Sequence, residues 1–188
     1  MWWSRNRSSI SRFAPCALAL SAAVMLAGCF QPLYGDRSFT GAPPLNEKLS
    51  TVEVMPIDVP NGRPEARIGL EIRNALLFNV NTTEVTPNPL YRLKINLTTT
   101  RQQVIVDIKS TRPDVENYGI DANYTLTEIA TGKVVVSGQT FARVSYDIPG
   151  QQQRFARARG LRDAENRAAK VIAEQIRSRL ASFFVAGA

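Results

Sequence analysis

Apolar residues recur along this chain in two rhythms. Tyr91, Leu93, Ile95 and Leu97 alternate with Arg92, Lys94 and Asn96, the period-two pattern of a strand with one buried face. Tyr118, Ile120, Ala122, Tyr124 and Leu126 repeat it. Residues 134–146 supply another strand, and Val52 and Val54 mark a first one over 51–57. The phase slips near Gln102 and Gln103 before Val104, Val106 and Ile108, which predicts a bulge. Residues 109–117 read as a polar loop. Ala130-Thr131-Gly132-Lys133 is a hairpin turn, and Gly138 marks a bulge or thin spot. The second rhythm is helical. Ile68, Ile72, Ala75 and Leu76 run to about 78, after the turn Asn61-Gly62-Arg63-Pro64 that places proline at a helix start. Leu161, Ala164, Ala168, Val171, Ile172, Ile176, Leu180 and Phe183 form a longer stripe over 154–184. Arg67 with Glu71, Asp163 with Arg167, and Lys170 with Glu174 are spaced as i,i+4 pairs. The order is β-α-β-β-β-α. It predicts an α+β domain: a four-stranded, mostly antiparallel sheet with two helices packed on one face.

The N-terminus follows other rules. Residues 1–13 carry Arg5, Arg7 and Arg12 and no acid, and an apolar run from Ala14 to Ala27 follows. That is the basic and apolar layout of a secretory signal, too short for the roughly 20 residues of a membrane span. The run ends in Leu26-Ala27-Gly28-Cys29, which resembles the lipobox of bacterial lipoproteins. There the thiol takes a diacylglyceryl group and the signal is cut before the cysteine. Residues 1–28 are therefore expected to be a signal peptide and Cys29 the lipid-bearing first residue. Pro32, Gly35, Gly41, Pro43 and Pro44 make 29–50 read as a lipidated tether, with a single domain over 51–186. Cleavage leaves roughly 160 residues, enough for a sizeable core.

Charge sharpens the picture. The full chain has a net charge of +7 and no histidine. Outside the signal, the excess concentrates on the last helix. There Arg154, Arg157, Arg159, Arg162, Arg167, Lys170, Arg177 and Arg179 face only Asp163, Glu165 and Glu174. Arginines at a helix N-terminus oppose the macrodipole unless anions offset them, and their forks suit phosphate. An anionic head group or acidic surface fits. Nucleic acid does not fit an exported, tethered protein. A Ser–His–Asp triad is excluded without histidine. With Cys29 acylated, the domain has no metal-ligand set, and no Gly-rich phosphate loop occurs. No cofactor is expected beyond the covalent lipid. Asp107, Asp114, Glu116, Asp121 and Asp147 leave a carboxylate pair formally open. They are expected to be solvated loop and strand-face acids.

The start Gly28-Cys29-Phe30 with Pro32-Leu33-Tyr34-Gly35 resembles the lipopolysaccharide-assembly lipoprotein family LptE, in its alphaproteobacterial form. The element order over 51–184 is similar, as is the closing helix from Ala164-Glu165-Asn166-Arg167-Ala168-Ala169 through Ile176, Leu180 and Phe183-Phe184. The resemblance implies a non-enzymatic two-helix, four-stranded sandwich at the outer membrane. It would plug the lumen of the barrel LptD, assist its assembly and help deliver lipopolysaccharide to the outer leaflet. Phe30 agrees, since lipoproteins held at an inner membrane often carry Asp after the cysteine. The family's lipopolysaccharide-binding basic residues fall, by position in the element order, on Arg112 before the third strand and on Arg157 or Arg159 near the last helix start. Two other classes stay open: an auxiliary lipoprotein of an ABC-type envelope lipid transporter, and a carboxylate-dependent envelope enzyme.

Overall fold

The computed structural model describes residues 44–59, 62–80, 88–105, 113–148 and 154–186. They build α1 (Leu45–Ser50), β1 (Val52–Val54), α2 (Pro64–Val80), β2 (Tyr91–Ile105), β3 (Pro113–Glu128), β4 (Val134–Asp147) and α3 (Arg154–Ala186). The sheet order is β1-β2-β3-β4. Strand β1 runs parallel to β2, with α2 as the crossover, and the other neighbours are antiparallel. The α+β architecture expected from the two rhythms is the one observed.

All three helices lie on one face of the sheet. Leu93 and Ile95 of β2, Tyr118, Ile120, Ala122, Tyr124 and Leu126 of β3, and Ala142 and Tyr146 of β4 are buried beneath them. The opposite face is open and mostly polar, with the exposed Phe141 among its side chains. It shows Lys94, Asn96, Thr98 and Thr100, with Asn123 and Gln139 beside them. Helix α2 buries Ile68, Ile72 and Leu76, one residue per turn. Helix α3 buries Ala164, Ala168, Ala169, Ile172, Ala173, Ile176, Leu180 and Ala181. The alanines let this long helix lie close against the sheet, so its larger side chains reach the core centre. Val171, expected in that stripe, is instead partly exposed.

Three local expectations are corrected. Residues 45–50, read as tether, form a helical turn and a half. Pro44 precedes it, its carbonyl accepts from the amides of Glu47 and Lys48, and Leu45 and Leu49 sink into the core. Lys48 Nζ donates to the Phe184 carbonyl at 3.1 Å, fastening α1 to the end of α3. The first strand is shorter than expected, covering Val52–Val54. The third differs in its start: β3 begins at Pro113, inside the expected loop.

The bulges also move. Strand β2 keeps its phase through Gln102 and Gln103, which pair with Asn117 and Glu116; the irregularity comes between Val104 and Ile105. Val106 and Ile108 lie outside the described residues. Between β3 and β4 the register shifts where Leu126 pairs with Val136 and Thr127 with Val134, so Val135 is the extra residue. Gly138 is not a bulge but the thin spot. It pairs with Tyr124, whose ring lies over it. A β-carbon there would sit 2.5 Å from the Tyr124 hydroxyl. At the hairpin, Gly132 takes a left-handed φ of 68°, which a side chain would disfavour.

Candidate functional site: a basic end with two buried carboxylates

The sandwich has two unlike ends. At one, Tyr91 packs edge-on against Phe184 with ring centroids 5.3 Å apart, and Phe183 joins them. At the other, the inward face of the sheet turns polar. Continuing the phase of Leu93 and Ile95 brings Thr99, Arg101 and Gln103 inward, against Tyr118 and Glu116 of β3. The apparent slip in the sequence is this change of chemistry in an unbroken strand.

Two acids are buried there. Glu116 is 5% exposed and Glu165 6%. Tyr146 donates its hydroxyl to Glu116 at 2.5 Å, and Arg157 Nη2 stands 3.5 Å from the same oxygen. Glu165 is bound by Arg67 of α2, with Arg101 of β2 at 3.8 Å. Arg67 also donates to Asn166 at 2.9 Å. Arg67 therefore ties α2 to α3 instead of forming the expected pair with Glu71. Asp163 and Arg167 do pair as expected, at 2.7 Å. Burial, and then the hydrogen bond to Glu116, push the Tyr146 phenol up to about 12. Burial raises Tyr118 further, helped by the nearby Glu165 charge. Both phenols stay neutral in any physiological compartment. Glu65, opening α2, is held below the usual carboxylate range by a backbone hydrogen bond and by Thr99, which donates at 2.9 Å.

Above this interior runs the start of α3. Its first turn holds no acid. Arg157, Arg159 and Arg162 are exposed, and Phe155 beside them is 88% exposed. A cleft of about 500 Å³ opens between this segment and the end of β4, lined by Ser145, Tyr146, Asp147, Ala156, Gly160, Asp163 and Arg167. Gly160 faces the Tyr146 ring, where a β-carbon would make an ordinary contact at 3.4 Å.

Of the site residues expected from sequence, Arg157 and Arg159 lie together on this segment. Arg112 and Cys29 lie outside the described residues. Pro113, next to Arg112, is paired with Ile105. Val115 of the same strand start pairs with Asp147 at the end of β4. The strand end that follows Arg112 is thus the end where α3 begins. Of the acids expected to be solvated, Glu116 is instead buried, and Asp121 is engaged by Arg143 at 2.9 Å from both oxygens. Asp147 is exposed, Asp107 lies outside the described residues, and nothing is described of the Asp114 side chain. Sequence reasoning missed Glu116 as an internal partner of the arginines. Its inward phase, two residues before Tyr118, was the available signal. Among the described residues no group of three or more metal-ligating side chains gathers, and no helix is long and apolar enough to cross a membrane.

A four-stranded sheet roofed on one face by helices recurs in solved structures of lipoproteins. A lipoprotein from Caulobacter crescentus CB15 superimposes with a TM-score of 0.60 at 19% identity, over 77% of this chain and 97% of that one. Rare lipoprotein B from Shewanella oneidensis gives 0.51 at 12% identity, over 71% and 96%. No curated protein matches the sequence. Residues 49–180 match the model of the family described as LptE, lipopolysaccharide-assembly. The chain belongs to the LptE family, a non-enzymatic family of envelope lipoproteins with a role in lipopolysaccharide transport and assembly.

Proposed function

We propose that this protein is an outer-membrane lipoprotein, anchored through Cys29 on the periplasmic side. On this reading it plugs and helps assemble the LptD barrel and takes part in passing lipopolysaccharide to the outer leaflet. The observation that carries the reading is the joining of family membership with an unbalanced arginine segment at one end of the fold. Lipopolysaccharide presents phosphates beside acyl chains. Arg157, Arg159 and Arg162 suit the phosphates, and the exposed Phe155 suits an apolar neighbour. Arg112 belongs to the same site on this reading, since the strand that follows it starts at this end. The open sheet face, with its Asn, Thr, Lys and Gln side chains, suits the aqueous interior of a barrel. Two or three acyl chains at Cys29, each buried CH₂ contributing about 0.8 kcal/mol, suffice for stable attachment.

Affinity purification of the full chain from detergent-solubilised envelope, read by mass spectrometry, tests the partner and the anchor together. A large β-barrel protein should co-purify, and the mature chain should begin at an acylated Cys29. An inner-membrane transporter as the main partner, or a chain without lipid, would overturn the reading. The ligand site has its own test. The Arg112→Glu, Arg157→Glu double variant is expected to bind lipopolysaccharide at least about tenfold more weakly at low salt. The deficit should shrink as ionic strength rises toward 1 M, where screening acts within about 3 Å. Unchanged binding would refute the assignment.

A further inference from the structure

The arginine end carries its own anions, and their placement has a consequence for release. Glu116 and Glu165 lie beneath the arginines, nine-tenths or more buried. Their contacts to the outer cations are loose. Arg157 reaches Glu116 only through Nη2 at 3.5 Å, and Arg101 reaches Glu165 at 3.8 Å. A tight guanidinium–carboxylate bond measures about 2.7–2.9 Å. Both arginines keep roughly half their side-chain surface in solvent. A guanidinium has five donors, so each has donors to spare for a ligand arriving from outside. Glu116 is also held from the far side by Tyr146, and Glu165 by Arg67. The carboxylates are therefore held from within, and the arginines are their loosely held, half-exposed partners.

We propose that Glu116 and Glu165 are built-in counter-ions that lower the affinity of this end for phosphate-bearing lipid, so that the ligand is bound and then released. The inference rests on the reading of the arginine segment as an anion site. An approaching phosphate feels the arginines less the two negative charges behind them. Buried carboxylates are costly to place, and apolar or amide side chains of similar size would join the elements with less desolvation. The charge is what an amide would lack. Glu116→Gln keeps the shape and the Tyr146 contact but removes one negative charge a few ångströms behind Arg157. At an effective dielectric between interior and bulk-water values, the gain in affinity for a phosphate is about 3- to 10-fold.

The test is a titration of the full mature chain with purified lipopolysaccharide at low and high salt, with thermal melting recorded for each variant. A dephosphorylated preparation serves as the second ligand. Glu116→Gln is expected to bind the phosphorylated ligand about 3- to 10-fold more tightly at low salt. It should dissociate more slowly and show no gain toward the dephosphorylated one. Glu165→Gln, acting through Arg101, gives an independent second reading in the same direction. A purely structural role for the acids predicts weaker binding, never tighter. Wild-type binding with no gain in either variant, or an equal gain toward the dephosphorylated ligand, overturns the counter-ion inference and leaves the site standing. Absence of wild-type binding overturns the site and the inference together.

Discussion

Ile172→Ala is expected to destabilise the domain by roughly 2–5 kcal/mol. Ile172 is fully buried on α3, among Ala168, Ala169, Ala173 and Ile176. Its alanine neighbours are already the smallest side chains that keep a helix, so none can swell to fill the vacancy. The helix is bound to the sheet on one side and to α2 on the other, which limits collapse of the hole. Both conditions place the loss toward the upper part of the range. Urea denaturation reads it as a lower midpoint with the slope unchanged. A loss under about 1 kcal/mol would mean that α3 repacks freely, and would sink the description of it as lying close against the sheet.

The second large effect concerns a residue with no side chain. Gly138→Ala would put a β-carbon 2.5 Å from the Tyr124 hydroxyl and 2.7 Å from its ring carbon Cζ. Ordinarily a glycine-to-alanine change at a compatible backbone gains about 0.4–1 kcal/mol by restricting the unfolded chain. Here the Tyr124 side chain is 5% exposed beneath the helices, so its ring has no free space to move into. Overpacking of this kind costs about 1–3 kcal/mol, so the net sign is destabilising. Gly119→Ala is the control. Its obstacles are Thr100 Oγ1 at 2.5 Å and Arg143 Cδ at 2.9 Å, both on the open face, where side chains can swing into water. Melting temperatures should fall clearly for the first variant and little for the second. Equal losses would show that the Tyr124 ring is not what makes position 138 intolerant.

The parts of the fold that were legible share one property: their burial is apolar. The alternation of Tyr91 to Leu97 and the four-residue spacing of Ile68, Ile72 and Leu76 announce strand and helix because the core selects hydrocarbon. The reading failed where the helix-facing side of the sheet turns polar. Arg101 and Gln103 share that side with the buried Glu116 but are exposed, so an alternation counted in apolar residues lost its phase at Gln102 and placed a bulge in a regular ladder. Their partners are distant in sequence: Arg67 and Glu165 are 98 residues apart, and no local spacing reveals such a pair. Helix α1 was hidden by Pro43 and Pro44, which suggest an extended chain. Yet proline fits just before a helix, and Leu45 with Leu49 was its four-residue signal. At the site, the arginine-rich helix start was visible as composition. The carboxylates beneath it were not, because an isolated acid on a strand defaults to solvent.

The unlike ends of the sandwich also set a direction. The described chain enters at α1, fastened by Lys48 to Phe184, while the arginines sit at the opposite terminus of α3. With 33 residues at about 1.5 Å each, α3 is a ruler of about 50 Å. The arginines are thus carried at the far end of that ruler from the point where the described chain joins the core, so α3 sets the distance between the aromatic end and the basic one.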